Sequence, residues 1–169
     1  MQFAKDSFYM TLQSRLAALN PARTVTLNGA QRPAMIVMEN EYPNAAQRLA
    51  NAFYLEWGSA KTLGSEATPL VLLACSIVYY ATGSLQSGMD RGRTLGQLDS
   101  ELLSICRPAF TEKRDYSQSP SADLGTGVFW TLPEYDVPAP LAGEGKQHPA
   151  ILERRARVMV GFFPEGVAL

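Results

Sequence analysis

The residues able to do chemistry are few, and their spacing decides little in favour of chemistry. Cys75 and Cys106 stand 31 positions apart, form no CxxC, and share the chain with a single histidine, His148. A structural zinc site needs four protein ligands and a catalytic one three, so this inventory reaches three only if the fold gathers all of it. Both cysteines lie inside apolar periodic segments, which predicts buried, reduced thiols. Ser117, Ser119 and Ser121 follow no nucleophile-elbow pattern, and His148 precedes Pro149 in a stretch read as loop. Nothing in the spacing brings a serine, His148 and an acid into a triad. The acid pairs Glu39/Glu41 and Glu134/Asp136 lack a nearby histidine, and isolated acids mostly solvate a surface.

Two further clusters carry a sharper alternative. Gly88, Gly92 and Gly96, with Ser84, Ser87 and Thr94, suggest a phosphate loop before a helix start. The spacing matches neither GxGxxG nor GxxxxGK[ST], and the segment has no lysine, so a strand-to-helix turn is the plainer reading. Glu153-Arg154-Arg155-Ala156-Arg157 is the one charge cluster, with three arginines against one acid. It suits phosphates or the carboxylates of a partner, whereas a charge run at a strand entry more often faces water.

The elements that must position these residues are clearer. Residues Asp6 to Leu19 place Phe8, Leu12, Leu16 and Leu19 on one helical face, with Asp6 or Ser7 as N-cap and Asn20-Pro21 as stop. Thr24 to Leu27 and Ala34 to Met38 read as two short strands of a loose hairpin around Asn28-Gly29. Residues 39–69 read as an irregular insertion or arm. Its aromatics Tyr42, Phe53, Tyr54 and Trp57 suit a protein–protein contact.

Leu70 to Tyr80 is apolar on both faces, which predicts a central strand covered on both sides, one cover being helices and the other a candidate subunit interface. Asp90 to Arg107 repeats Leu95, Leu98, Leu102 and Ile105 as a second helix with Asp90 as N-cap. Phe110 to Gly127 and Pro133 to Pro149 read as long loops, and Val128 to Leu132 and Ala156 to Phe163 as the last strands. Strands interrupted by helices without βαβ regularity predict α+β: a mixed, mainly antiparallel sheet flanked by two main helices, in a single domain over 1–169.

The chain has 169 residues, 46% hydrophobic and 18% charged, with 15 Lys plus Arg against 16 Asp plus Glu. That composition supports a real core and argues against disorder and against a generally basic nucleic-acid binder. The start of the chain lacks the apolar stretch of a signal peptide, and the run Pro69 to Ala81 falls short of the ~20 residues a membrane helix takes. The expected setting is therefore a cytosol.

Element order and loose motifs together resemble a known family. Phe8-Tyr9-Met10-Thr11-Leu12-Gln13-Ser14-Arg15-Leu16 opens the chain as a helix. Arg32-Pro33-Ala34-Met35-Ile36-Val37-Met38 follows, then the apolar strand ending in Tyr79-Tyr80. The helix Arg91-Gly92-Arg93-Thr94-Leu95-Gly96-Gln97-Leu98-Asp99 and a strand ending in Phe162-Phe163-Pro164 complete it. Over nearly the whole chain this resembles the tail-terminator, or tail-completion, proteins of tailed bacteriophages.

The resemblance implies an α+β fold and a ring, usually hexameric, that caps the tail tube and meets the head or neck. It implies no enzymatic activity and no cofactor, and a place in the virion after assembly in the host cytoplasm. The implied partners are the chain itself, the tail tube protein and a neck or head-completion protein, with the tail sheath as a further candidate. Neither a membrane nor a specific nucleic acid is among them. The insertion 39–68 and the 133–149 loop depart from the family pattern. The expected ring joint uses Tyr42, Phe53, Tyr54 and Trp57 on one patch and Arg154, Arg155 and Arg157 on another, with Glu39, Glu41, Glu134 and Asp136 answering the arginines across it. A neck or head-completion ring protein is the alternative, and a small enzyme or ligand-binding domain using the Gly88 to Gly96 turn is the second.

Overall fold

The structure, a computed structural model, describes residues 1–41, 49–64, 69–84, 86–87, 89–143 and 146–164. Helices α1 (Gln2–Leu19) and α3 (Asp90–Ile105) pack on a mostly antiparallel eight-stranded sheet, so the chain is α+β. The strands are β3 (Met35–Val37), β4 (Phe53–Leu63), β5 (Leu70–Thr82), β6 (Phe110–Asp115), β7 (Ala122–Trp130), β8 (Glu134–Tyr135), β9 (Ala139–Gly143) and β10 (Lys146–Phe162). Their order is β3-β4-β5-β10-β7-β6, with β8 and β9 also paired to β10. A short helix α2 (Met38–Glu41) follows β3, and β1 (Thr24–Leu27) and β2 (Ala30–Pro33) form a separate two-stranded sheet.

Alternation along the strands builds two cores, one on each face. On the helix face lie Val71, Leu73, Cys75, Ile77, Tyr79 and Ala81 of β5, and Val158, Val160 and Phe162 of β10. They meet Phe8, Leu12 and Leu16 of α1 and Leu95, Leu98 and Leu102 of α3. Phe8 is fully buried, with its ring edge-on to Trp57 at 5.8 Å and to Trp130 at 5.0 Å between centroids. On the other face a smaller core joins Val78 and Tyr80 to Tyr54, Ile36, Ala34, Ala52 and Val25. The sequence periodicities of α1, β5 and α3 therefore correspond to packed elements, except that Leu19, expected on the packed face of α1, is exposed at the helix end.

Several expectations need correction. The hairpin around Asn28-Gly29 is tight, not loose: Leu27 pairs with Ala30, and Asn28 (φ 50°) and Gly29 (φ 79°) supply the two left-handed residues such a turn requires. Its second strand is β2, while the expected partner run 34–38 holds β3, which pairs with β4. Residues 39–69 are not simply an irregular insertion, because the end of α2 and the whole eleven-residue β4 lie within them. The two stretches read as loops contain β6 and most of β7, and β8, β9 and the start of β10. His148 thus stands in a strand, paired with Leu141. Helix α1 starts at Gln2, so neither Asp6 nor Ser7 caps it; Ser7 is buried and its Oγ accepts the Arg114 backbone N–H at 2.8 Å. Met89, not Asp90, is the N-cap of α3.

One ion pair ties both helices to the hairpin. Glu101 of α3 accepts from Asn20 at 2.8 Å, from Arg23 Nη2 at 2.9 Å and from Arg23 Nε. Burial pushes its pKa up, but the Arg23 and Asn20 bonds outweigh that, and the carboxyl titrates below its usual value. A depressed carboxyl contributes stability above its unfolded pKa of about 4.3 and loses it as pH falls through the folded value.

Two predictions follow from this packing. Phe8→Ala will cost about 3–5 kcal/mol in urea unfolding, and a cost under about 1 kcal/mol would show that α1 does not close the core. Glu101→Gln will cost on the order of 2 kcal/mol at pH 7, and its deficit against wild type will shrink as pH falls below about 4.3 toward the lowered folded value. A deficit independent of pH would rule out the ion pair as its source.

Candidate functional site

The face of the sheet opposite the helices is covered over only part of its length. One end holds the smaller core. In the middle, directly opposed residues of four strands form a charged row, Glu56–Ser76–Arg157–Glu134. At the far end Lys61, Leu72, Gly161, Phe129 and Phe110 form another continuous row across five strands, by the pairs 61↔72, 72↔161, 161↔129 and 129↔110. Between the two, Ala74 opposes Met159.

Apart from Lys61 at its β4 end, the far row is apolar and open. Phe110 is 54% exposed, Phe129 39% and Met159 37%, with Leu72 and Ala74 half-buried beside them. The aromatic rings occupy space that glycine leaves. A Cβ on Gly161 would collide with the Phe129 ring, and one on Gly127 with the Phe110 ring. Aromatics laid over strand glycines fill the gap left by a missing side chain and present their outer faces to solvent. A contiguous apolar row bordered by charges has the anatomy of a protein–protein contact.

The expected interface residues are distributed differently from the expectation. Tyr42 lies outside the described residues. Phe53 and Tyr54 are buried, at 0% and 2% exposure, so they build the two cores and do not form a free aromatic patch. Phe53 packs edge-on to Tyr79, and Tyr54 edge-on to Tyr80. The Tyr54 hydroxyl accepts the Leu49 N–H at 2.6 Å. Trp57 is half-buried against Phe8, with Lys5 Nζ 5.4 Å from its ring centroid.

The arginines are split by strand alternation. Arg154 points to the helix face, donating to Asp99 Oδ2 at 3.0 Å and to the Asp136 carbonyl at 2.7 Å. The same Asp99 accepts the Tyr79 hydroxyl through its other carboxylate oxygen, and its carbonyl accepts Tyr135 at 2.9 Å. Burial, then Asp99, pushes the Tyr135 phenol up to about 12. Arg155 and Arg157 lie on the opposite face. Arg155 meets Glu56 at 2.7 Å and Glu153 at 3.4 Å, and Arg157 meets Asp136 at 3.1 Å. Within the chain Lys5 answers Glu39 and Arg32 answers Glu41. Three of the four acids expected across a joint therefore have partners in their own protomer.

The candidate chemistry is also placed. Cys75 and Cys106 are buried free thiols, and burial pushes Cys106 up to about 12, away from thiolate chemistry. Gly92 and Gly96 sit inside α3, not in a loop before it. The start of α3 is occupied by Asp90, whose carboxylate accepts the Ser84 N–H at 2.6 Å and the Arg91 N–H at 2.7 Å. A fixed negative charge there repels the phosphate that a helix start would attract. A cleft of ≈ 220 Å³ between α1 and β4 is lined by Lys5, Asp6, Tyr9, Glu41, Trp57 and Tyr116, among others. Lys5 and Glu41 are already engaged there in ion pairs. Among the described residues no three His, Cys, Asp or Glu side chains gather to hold a metal, and no helix is long and apolar enough to cross a membrane.

What the sequence reading missed is the Phe110, Phe129 and Met159 row. The signal was local: the neighbours Phe129-Trp130 and Met159-Val160 put large apolar residues on both faces of strands, as in β5. No protein-family model matches this chain, and no curated protein matches it.

The split of the arginines predicts unequal costs. Arg154→Ala will destabilise the protein by on the order of 2 kcal/mol in denaturant titration, because it strips a bond from half-buried Asp99. Arg157→Ala, at a 67% exposed side chain, will change stability by about 0.5 kcal/mol or less. Equal costs would contradict their assignment to different faces.

Proposed function

We propose that this chain is a structural virion protein of a tailed phage: a ring-forming tail terminator that caps the tail tube and joins it to the head or neck. The observation that carries the reading is the uncovered apolar row Leu72, Phe129 and Phe110, with Met159 beside it. A chain of this size with a core on each face of its sheet still leaves that row to solvent, which a partner surface would cover. Such a row suits a heterologous joint, in which one patch meets a different patch of the neighbour and the rotation closes into a ring. The charged row of Glu56, Arg157 and Glu134 lies next along the strands from the apolar one and would serve as the polar rim of such a joint.

The element order that resembles tail terminators supports the same reading and implies the further partners: the tube protein on one side of the ring and a neck or head-completion protein on the other. The ion pairs already formed within the chain limit the arginines to rim contacts, so the energy of association would come from the apolar row.

The test is assembly. Light scattering over a concentration series, with and without isolated tail tubes, will give a discrete ring-sized oligomer, and electron microscopy will place it at the head-proximal end of the tube with a central hole. Phe129→Glu will abolish that oligomer while the chain still unfolds in a single cooperative urea transition. A chain that stays monomeric at all concentrations and on tubes would sink the proposal. A ring that binds heads but not tubes would move the protein to the neck.

A further inference from the structure

The two outer edges of the sheet are treated differently. At one end α1 closes β6: Ser7 Oγ accepts the Arg114 N–H, and Arg15 donates to the Phe110 carbonyl at 3.1 Å and the Pro108 carbonyl at 2.7 Å. At the other end β3 pairs with β4 only over Phe53, Tyr54 and Leu55. Beyond that, residues 58–63 of β4 are exposed and bonded to β5 on one side, and among the described residues no strand pairs with their outer side. An open strand edge is a template for another strand.

The charges on β4 say which strand. It carries two, Glu56 and Lys61. Five positions apart, they would point to opposite faces of a regular strand. A bulge at Gly58-Ser59, where Trp57 opposes Cys75 but Ala60 opposes Leu73, adds a residue and brings both charges to the face opposite the helices. Directly opposed residues of an antiparallel pair share a face, so only the bulged strand can set Glu56 against Lys61 of an identical strand. In-register parallel pairing would set like charge against like. Lys61 makes no ion pair among the described residues, and Glu56 holds Arg155 through Oε2 alone.

We infer that the open edge of β4 binds the β4 edge of a second copy of this chain, antiparallel, with a two-fold axis between Gly58 and Ser59 and with Glu56 of each protomer opposite Lys61 of the other. The contact is isologous, so it is distinct from the head-to-tail joint of the proposed ring and does not rest on that reading. It joins the two sheets edge to edge. The competing role for Lys61 is a guard, a lone charge that keeps edges apart.

The Ser59→Cys variant decides between them. In the two-fold pair the two Ser59 Cα atoms lie ~6 Å apart, within disulfide reach, and the native cysteines are both buried. Mild oxidation will yield a covalent dimer from Ser59→Cys and none from Ser121→Cys. Sedimentation of the otherwise wild-type chain will show a dimer that weakens with salt, and Lys61→Glu will weaken it by at least about tenfold. No cross-link, or tighter association of Lys61→Glu, overturns the inference; the second makes Lys61 a guard. An oligomer abolished by Phe129→Glu and untouched by Lys61→Glu also overturns it while leaving the ring standing. A dimer that survives Phe129→Glu and yields to Lys61→Glu supports it even where no ring forms.

Discussion

Everything in this protein hangs on the pairing of β5 with β10. Twelve consecutive residue pairs, from Ile151↔Thr82 to Phe162↔Val71, run without a register shift. Because side chains alternate across a strand, that one register assigns a face to every residue of both strands. A slip by one position would turn Val158 and Val160 out to solvent and drive Arg157 and Met159 under the helices. The penalty is unpaired charge and lost apolar burial together, so the ladder is held by both. The neighbours β4, β7, β8 and β9 all pair with one of these two strands and inherit their faces from them.

The consequence is a sheet with a polarity gradient on its open face. Aromatic pairs close one end, where Tyr54 meets Tyr80, and the hairpin β1-β2 supplies Val25 to the cover. A charged row follows, and then the apolar row that ends on Phe129 and Phe110. The helix face has no such gradient, since α1 and α3 cover it along the core strands. A face whose apolar residues are covered at one end and uncovered at the other is a poor solvent-facing surface there and a good partner-facing one. The functional reading therefore rests on where the cover stops, not on any group that does chemistry.

The two sheet edges follow the same logic from different directions. On β6, side chains of α1 take up backbone groups that β7 leaves unbonded, and Lys113 is drawn inward to donate to the Phe163 carbonyl at 2.7 Å. That inward cation is itself a device against edge pairing. On β4 the bulge at Gly58-Ser59 bends the strand away from its regular path just where β3 and α2 stop covering it. A bulge is often protective, but here it also sorts Glu56 and Lys61 to one face.

Local pattern alone determined the α+β class, the packing faces of α1 and α3, the two-sided burial of β5 and the burial of both cysteines. Each of these depends on residues a few positions apart, and periodicity reads that distance directly. Tertiary structure alone decided the rest. The Pro- and Gly-rich stretches 110–127 and 133–149 became strands because β10 and β7 offered edges to pair with, a non-local bond that composition does not record. Three arginines that read as one patch were divided because a strand sends neighbours to opposite faces, and the acids that met them, Asp99, Glu56 and Asp136, come from three other parts of the chain. The aromatics Phe53 and Tyr54 went inward for the same reason, while Phe110 and Phe129, unremarkable in sequence, were left outside because no element among the described residues covers them.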